Sequence, residues 1–401
     1  MKSFISLEEA IEILNINTKA LEVEEVDLIK GINKTLAEDI YSKINNPPFD
    51  KSAMDGYAII SEDTLNAKVK LKVIDTIYAG ECSNNEVTKN TAIKIMTGAP
   101  IPKGANAVVK QEDVHIYDKF IEVNKIAKPN QNICFKGEDI TKGSLLVNKH
   151  KKLNYSDIGI IASSGINKIK VYKKPKVAFI STGDEVLDIN ENLTEGKIYN
   201  SNKYSILSRV YELGYDVIGI DHANDSSKNI GNIIKEFSKE SDLIITTGGV
   251  SVGEKDLLKD TMDDIGAEKL FWKVTIKPGS AVLCSKFNNS IIISLSGNPT
   301  ASLTTFELLA RPTLDKLSGN EKIEIKREKA ILLGNFNKKS PQRRFIRGKT
   351  VYNEGKQYVE MTQIKTGNGI LSSTKDSNCL IEVQKGNTGL EEKVLVDIIK
   401  F

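Results

Sequence analysis

The stretch Asp242-Leu-Ile-Ile-Thr-Thr-Gly-Gly-Val-Ser-Val-Gly-Glu-Lys-Asp256 decides the fold, because a short apolar run stops at two glycines and continues as polar, charged sequence. The aliphatic run lacks the alternation of a half-exposed strand, which is typical of a parallel strand covered by helices on both faces. Gly248 and Gly249 let the backbone turn sharply and bring N–H groups to an anion, and Ser251 adds a hydroxyl. Asp256 follows as a carboxylate suited to a metal ion at that anion. A glycine-rich connection without a ligand is the alternative interpretation of the two glycines alone.

Size and composition limit the possible functions. A chain of 401 residues is long enough for two to four cores. A net charge of +3 is too balanced for a protein whose affinity depends on neutralising nucleic-acid phosphates. The four cysteines are far apart, which argues against a disulfide framework or a zinc site, and the three histidines have no metal-pair or triad spacing. We therefore expect carboxylates and lysines to carry the chemistry. No membrane span or signal sequence is apparent, so we expect a cytoplasmic protein.

Strand and helix patterns alternate from residue 175 to residue 325, which predicts a central, doubly wound, mostly parallel α/β domain. Three predicted strands end in polar loops at residues 181–185, 246–256 and 296–299. The carboxyl ends of parallel strands share one edge, and ligands bind in the crevice there. Asn298 followed by Pro299 predicts a helix start whose free N–H groups face an anion. No Gly-x-Gly-x-x-Gly follows a strand, so a dinucleotide site is disfavoured.

The remaining sequence predicts three further parts. Residues 1–21, which open with the capping box Ser6-x-x-Glu9, form a helical or linker domain together with residues 148–174. Residues 22–147 form a β-rich insert, and residues 326–401 a small all-β C-terminal domain. Two loops of the insert place a polar group beside a glycine, at Asp55 and at Thr97. The alternative is that Asp55 only makes a turn and Thr97 only satisfies backbone groups.

Two groups of basic residues also stand out. Lys273 and Lys277 lie an even number of residues apart, so on one strand both ammonium groups point to the same face and into one site. A solvated edge strand is the alternative. Arg343, Arg344 and Arg347 are clustered in the C-terminal part, where we expect them to form a solvated face.

The motifs SAMDGYA (from residue 52), TGAPIPKGA (97), GEDITKG (137), STGDEV (181), TTGGVSVGEKD (246), FWKVTIKPG (271) and GNP (297) occur in this order. The sequence therefore resembles, over nearly its whole length, the molybdopterin molybdenumtransferases of molybdenum cofactor biosynthesis, which are related to the E domain of gephyrin. The resemblance implies a four-part dimer with shared active sites. It also implies that adenylylated molybdopterin is bound, that its phosphoanhydride is cleaved in a step needing molybdate and Mg²⁺, and that AMP is released. Implied further partners are the adenylyltransferase that supplies the substrate and the molybdoenzyme chaperones that accept the product.

Site roles follow residue by residue from the resemblance and from the strand-end loops. The predicted catalytic residues are Asp55, Glu185, Asp256, Lys273 and Lys277. The predicted substrate-binding residues are Thr97, Gly183, Asp184, Asp225, Gly248, Gly249, Ser251, Gly297, Asn298 and Pro299. Glu185 and Asp256 are the predicted metal ligands.

The sequence departs from the family pattern at a few positions, which bears on oxyanion affinity and metal choice. Ser280-Ala281 replace a basic residue and proline, Ser296 replaces a proline, Ser226 replaces an acid, and Asn368 stands where serine is common. Three alternatives stay open. The first is an enzyme of the same type that uses tungstate. The second is a non-catalytic pterin-binding scaffold, and the third is a general Mg²⁺-dependent nucleotide phosphotransferase. The absence of a Gly-x-x-x-x-Gly-Lys-Ser/Thr loop disfavours the last.

Overall fold

The computed structural model describes residues 1–66, 68–250, 257–362 and 371–401, and the chain divides into two compact units. Unit 1 comprises residues 1–24, 33–37 and 170–401, and unit 2 comprises residues 25–32 and 38–169. No helix among the described residues is both long enough and apolar enough to cross a membrane.

The strands and helices of the described ranges are numbered in chain order. Strands β1 to β27 are Lys2–Ile5, Val23–Asp27, Ile40–Tyr41, Lys51–Ser52, Gly56–Ile59, Val69–Ile77, Thr91–Ile95, Ala107–Lys110, Val114–Tyr117, Phe120–Val123, Ile133–Cys134, Leu145–Val147, Lys168–Tyr172, Lys176–Thr182, Val186–Leu187, Ile198–Tyr199, Asp216–Ala223, Leu243–Thr247, Glu268–Val274, Ile276–Lys277, Val282–Phe287, Ser290–Leu295, Glu328–Leu333, Arg343–Asn353, Lys356–Met361, Cys379–Val383 and Leu395–Lys400. Helices α1 to α7 are Leu7–Asn17, Tyr155–Ser163, Ser201–Glu212, Ser227–Phe237, Leu258–Ile265, Pro299–Thr305 and Arg311–Leu317. A π-helical turn, Phe306–Ala310, joins α6 to α7, and the short 3₁₀ helices are Leu28–Gly31, Ser61–Thr64, Gln111–Asp113 and Leu371–Thr374.

The larger sheet of unit 1 confirms the predicted α/β fold. Its seven strands lie in the order β1-β19-β21-β22-β18-β14-β17, and only β21 runs against the others. Successive residues of the central strands pack on opposite faces, because strand side chains alternate. Phe179 and Ile245 pack in the core that contains α3, whereas Ile180 and Ile244 pack in the core that contains α4 and α5. Helices therefore cover both faces, as the unbroken aliphatic run predicts.

Two strands of this sheet were not predicted. Strand β21 pairs antiparallel with β19 and β22, and β1 extends the sheet at its edge beside β19. Helix α1 is capped by Ser6, whose Oγ accepts a hydrogen bond from the N–H of Glu9 at 3.1 Å, as the sequence predicts. Its buried face, which includes Leu7 and Leu14, lies in the unit 1 core, because Ile5 and β1 lead directly into it. The prediction grouped this helix with residues 148–174, most of which are in unit 2. The exact boundaries of the four predicted domains stay predictions.

The C-terminal part of unit 1 is a small β barrel. Its strands lie in the order β20-β24-β25-β23-β27-β26, and β26 also pairs with β24, which closes a ring of five strands. The expected solvated face of arginines is wrong for this barrel. Only 4% of Arg347 is exposed, and burial lowers its pKa to about 10. Arg343 forms ion pairs with Glu8 and, at 2.9 Å, with the fully buried carboxylate of Glu382.

Unit 2 confirms the predicted β-rich character. A six-stranded sheet with the order β8-β5-β7-β6-β10-β9 forms its centre. Two small two-stranded sheets, β11-β4 and β12-β3, accompany it, and α2 begins with a complete capping box at Asn154 and Asp157. Strand β5 follows Asp55 directly, and β7 ends two residues before Thr97. The sheet therefore places both predicted polar loops at the ends of neighbouring strands.

The end of β18 lies so close to the end of β14 that residue 248 has to be glycine. Gly248 has a φ of 97° and donates its N–H to the carbonyl of Leu295 at 3.1 Å. A Cβ there lies 2.6 Å from Oγ1 of Thr182 and 2.7 Å from its carbonyl oxygen. The hydroxyl can rotate away, but the carbonyl belongs to a paired strand and cannot.

We therefore expect Gly248→Ala to lower the urea midpoint of unfolding by more than a substitution that carries only the strain of a positive φ. Gly196→Ala is the matched control, because Gly196 has a φ of 80° and nothing lies within 4 Å of its Cβ position. The control carries only the left-handed backbone penalty of about 1–2 kcal/mol, whereas Gly248→Ala adds about 1–3 kcal/mol of overpacking. Equal midpoints for the two variants contradict the close approach.

Candidate functional site

The three predicted strand-end loops of unit 1 meet at one edge of the sheet. Ser181 is in register with Thr247, and Thr247 with Leu295, so β14, β18 and β22 end side by side. A pocket of about 80 Å³ opens there. It is lined by Ser181, Thr182, Glu185, Val186, Ile198, Tyr199, Asn200, Ser201, Asn202, Thr247, Gly248, Gly297 and Pro299. The pocket brings together four of the predicted site residues, namely Glu185, Gly248, Gly297 and Pro299.

Glycines allow the two loops that form the floor of this pocket to lie close together. A Cβ on Gly297 lies 3.6 Å from Cα of Gly248, so the loops after β18 and β22 touch through backbone alone. Gly249 continues the turn with a φ of 63°. Backbone amides packed this closely without side chains suit the approach of a phosphate or another oxyanion.

The loop after β14 carries the acidic residues of the pocket. Gly183 turns the chain with a φ of 123°, and a Cβ there lies 2.6 Å from Oε2 of Glu185. Asp184 is exposed and accepts a hydrogen bond from the backbone N–H of Asp225 at 3.1 Å, which ties this loop to the start of α4. Its carbonyl accepts a hydrogen bond from Lys197 at 2.5 Å. Asp184 and Asp225 therefore hold two strand-end loops together, and Glu185 is the carboxylate at the pocket.

The loop after β22 is ordered by side-chain hydrogen bonds. Asn298 caps α6 by accepting a hydrogen bond from the N–H of Ala301 at 3.3 Å, with Pro299 in the first turn, as predicted. Asn202 donates through Nδ2 to the carbonyl of Gly297 at 2.8 Å, and its buried Oδ1 has no hydrogen-bond partner among the described residues. The sequence interpretation missed Asn202. The signal was Asn200, which caps α3 and places Asn202 in the first turn beside the pocket.

Asp55 and Thr97 of unit 2 are in direct contact. One carboxylate oxygen of Asp55 accepts hydrogen bonds from both the backbone N–H and the hydroxyl of Thr97, each at 2.7 Å. These bonds, with a smaller contribution from the charge of Lys94, lower the pKa of Asp55. Gly56 is required beside it, because a Cβ there lies 2.0 Å from the carbonyl oxygen of Val109. The two loops chosen separately from the sequence thus form one exposed, ionised carboxylate site.

The predicted arrangement of the two lysines on one strand is wrong. Lys273 belongs to β19 of the seven-stranded sheet, whereas Lys277 belongs to β20, which pairs with β24 of the barrel. Strand β19 ends at Val274, and Lys273 within it has a φ of 63°, outside the extended region. Its ammonium lies 4.0 Å from the ring centroid of Trp272 and 5.0 Å from that of Phe4. Lys277 is exposed and lies beside Arg344 in the pairing of β20 with β24.

Two predicted site residues, Ser251 and Asp256, lie outside the described residues, as do Gly253 and Asn368. Within the described ranges, no three His, Cys, Asp or Glu side chains form a group able to hold a metal ion. The described part of the predicted metal site is therefore Glu185 alone.

Comparisons with known proteins give a consistent result along the chain. Residues 5–165 match the model of the MoeA N-terminal region (domain I and II), residues 178–316 a probable molybdopterin binding domain, and residues 329–401 the MoeA C-terminal region (domain IV). The molybdopterin molybdenumtransferase of Staphylococcus aureus strain MSSA476 is 37% identical over 98% of this chain and 95% of its own length. That of Staphylococcus epidermidis strain ATCC 12228 is 36% identical, with the same shares covered. The crystal structure of the molybdopterin biosynthesis MoeA protein from Pyrococcus horikoshii OT3 matches with a TM-score of 0.83 and 32% identity, covering 99% of this chain and all of that one.

The hydrogen bonds of Thr97 predict how Asp55 titrates. Thr97→Ala removes the hydroxyl donor but keeps the N–H, so the pKa of Asp55 should rise towards its ordinary value, whereas Thr97→Ser should preserve it. Because the pKa of Asp55 is lowered in the folded protein, its contribution to stability is present above the ordinary carboxyl pKa and is lost as pH falls through the lowered one. Carboxyl-carbon NMR of labelled aspartate measures the shift. An identical titration of Asp55 in wild type and Thr97→Ala would show that the hydroxyl contact is immaterial.

Proposed function

The chain belongs to the molybdopterin molybdenumtransferase family of MoeA proteins and is a transferase of molybdenum cofactor biosynthesis, and on that premise we propose its reaction in detail. It inserts molybdate into adenylylated molybdopterin, with Mg²⁺-dependent cleavage of the phosphoanhydride and release of AMP. One observation carries the proposal. The pocket where three strand ends meet, with glycine backbones in contact and Glu185 at its wall, lies in the region matched to a molybdopterin binding domain.

The strand-end loops supply the binding surface for the phosphate-containing part of the substrate. Gly248, Gly249 and Gly297 carry no side chain, so an anion can approach the backbone of these loops closely, although the N–H of Gly248 itself is bonded to Leu295. Oδ1 of Asn202, which has no hydrogen-bond partner among the described residues, is a further polar atom of the pocket lining and can accept a hydrogen bond from the substrate. Asp184 and Asp225 stay proposed substrate-binding residues, and the hydrogen bond between them also fixes the position of the neighbouring loop.

The carboxylate of Glu185 supports Mg²⁺ as the metal ion that we propose for this pocket. This ion is commonly held by one or two carboxylates together with substrate phosphate oxygens and waters, and Glu185 is an exposed carboxylate in the lining. Asp256, which lies outside the described residues, is the second ligand that we propose. When bound, Mg²⁺ supplies charge neutralisation at the phosphoanhydride oxygens.

Lysines provide the charge for the oxyanion substrate. We assign Lys273 and Lys277 to molybdate and to the negative charge that develops on the departing AMP. Neither lysine forms an ion pair with a described residue, which supports their assignment to a ligand. Lys273 lies on the seven-stranded sheet and Lys277 on the barrel sheet, so we propose that the oxyanion is contacted from the α/β domain and from the start of the barrel.

The proposed setting is a cytoplasmic homodimer that receives its substrate from an adenylyltransferase and passes the cofactor to molybdoenzyme chaperones. Tungstate is the alternative oxyanion, and a pterin-binding scaffold without turnover is the alternative function. Neither has a specific structural observation in its favour. Serines at two of the departures from the family pattern accept local hydrogen bonds, Ser226 Oγ from the N–H of Asn229 and Ser296 Oγ from the N–H of Asn298.

Purified protein incubated with adenylylated molybdopterin should release AMP only when both Mg²⁺ and molybdate are present. Glu185→Gln keeps the shape of the side chain but removes its charge, so we expect release to fall about a hundredfold or more with substrate binding retained. Lys269→Ala is the control, because Lys269 is paired with Asp263 away from the pocket. Tungstate in place of molybdate tests the oxyanion. Tight binding of the pterin without any metal-stimulated AMP release would establish the scaffold instead.

The shared-site dimer predicts complementation between two inactive variants. Asp55 and Glu185 lie in different compact units, and we propose that each site takes Asp55 from one chain and Glu185 from the other. Asp55→Ala and Glu185→Ala chains, dissociated and reassembled together, then form mixed dimers with one intact site of two. Random pairing makes half of the dimers mixed, so activity should recover to roughly a quarter of wild type. No recovery means that Asp55 serves its own chain, which leaves the reaction itself unaffected.

A further inference from the structure

Two paired strands of unit 1 leave the extended conformation at the same level. In the parallel pairing of β1 with β19, Ser3 is opposite Trp272 and Ile5 is opposite Val274, so Phe4 is abreast of Lys273. Phe4 has a φ of 56° and Lys273 a φ of 63°. A positive φ is uncommon for side chains of this size and persists only where surrounding structure imposes it. A matched pair of such residues, one on each strand, therefore calls for a physical reason.

The backbone turn explains where the lysine side chain lies. Neighbouring residues of a regular strand point to opposite faces of the sheet, which would separate Lys273 from Trp272. Here the Lys273 ammonium lies 4.0 Å from the centroid of the Trp272 ring and 5.0 Å from that of Phe4. The two rings meet edge to face, with centroids 6.2 Å apart. The paired irregularity thus builds an aromatic corner, Phe4 and Trp272, around one ammonium group.

The aromatic corner is anchored and has a second cation beside it. The indole N–H of Trp272 donates to the carbonyl of Val250 at 3.4 Å, which links the ring to the loop after β18. The ammonium of Lys259, on α5, lies 4.9 Å from the centroid of the same ring. Phe4 is 59% exposed, although an exposed phenylalanine ring contributes little to a core. A cation–π contact with Lys273 from the solvent side explains the exposed position of the ring.

Aromatic rings hold an ammonium group differently from carboxylates. Lys269, four residues earlier on β19, forms an ion pair with Asp263 that neutralises it. A ring attracts a cation through its quadrupole and carries no net charge. Lys273 is therefore oriented while its full positive charge and its N–H donors remain for an anion.

We propose that Phe4 and Trp272 are positioning residues that hold the ammonium of Lys273 in place for the tetrahedral oxyanion substrate. The inference rests on the proposed function, since it takes Lys273 as an oxyanion contact. Phe4 does not touch the reacting atoms, and it acts only through the lysine. Loss of its ring should therefore raise the molybdate concentration needed for turnover and leave the rate at saturation nearly unchanged.

Trp272 is the only tryptophan of the chain, which gives a readout independent of turnover. Molybdate that draws the Lys273 ammonium towards itself should change Trp272 fluorescence saturably in the wild-type protein. Phe4→Leu removes one of two rings around the ammonium, so the half-saturating molybdate concentration should rise about two- to fivefold. Phe4→Tyr should restore the wild-type value, and Lys269→Ala should not change it. Far-UV circular dichroism and the thermal midpoint of Phe4→Leu check that the strand pairing is intact.

Each outcome bears on one hypothesis. A folded Phe4→Leu with wild-type half-saturation in both fluorescence and AMP release overturns the positioning role and leaves the reaction standing. A wild-type protein that shows a Phe4-dependent fluorescence response to molybdate, but no AMP release, supports the positioning role and refutes the proposed reaction. No response of Trp272 to molybdate in the wild type overturns the positioning role. Rescue by Phe4→Tyr distinguishes an aromatic contact from a structural effect, because leucine keeps an apolar side chain at this position but has no ring.

Discussion

Parallel hydrogen bonding among β14, β18 and β22 is the constraint on which the rest of unit 1 depends. It ends three strands at one edge, in registers that place Thr182 against Gly248. A slip of one residue turns every side chain of a strand to the opposite face. It would turn Ile244 and Ile245 towards the wrong cores and move the glycine away from its close approach to the carbonyl of Thr182. The same register that packs the two cores therefore also forms the pocket.

The α/β elements and the strand-end loops could be predicted because their signals are local. An aliphatic run, a glycine that ends it and a capping asparagine each determine structure within a few residues. They can therefore be recognised in the sequence without knowledge of the fold. The pairing of β21 and the burial of Arg347 were not predictable in this way. Arg347 lies over the ring of Phe401 and near the charge of Glu307, which are distant in sequence. The contact between Asp55 and Thr97 also required the sheet that joins β5 to β7.

Lys273 shows most clearly why sequence spacing alone was insufficient. The even spacing from Lys277 predicts a common face only if every intervening residue is extended. A lysine with positive φ gives no signal in the sequence, because the conformation is imposed by the pairing with Phe4 and its neighbours. The strand change at Thr275 then assigns the second lysine to another sheet, although the N–H of Thr275 still bonds to Ile5 at 2.8 Å. The positions of both lysines therefore depend on strand pairings between residues that are distant in sequence.

The residues around Arg327, Arg343 and Lys273 differ, and the difference bears on whether each cation can bind a ligand. Arg327 and Arg343 share the buried carboxylate of Glu382, and removing one partner of such a buried pair costs about 3–5 kcal/mol. These cations are committed to the fold, because an incoming anion would have to compete with a carboxylate already in place. Lys273 has neutral rings as its neighbours, which fix its direction at a cost of only about 0.5–1 kcal/mol if the contact is given up. An ammonium held by rings can move towards an oxyanion, whereas one held by a buried carboxylate cannot. The choice of neighbour, rather than the presence of a positive charge, therefore supports Lys273, and not Arg327 or Arg343, as a cation that we propose for the oxyanion.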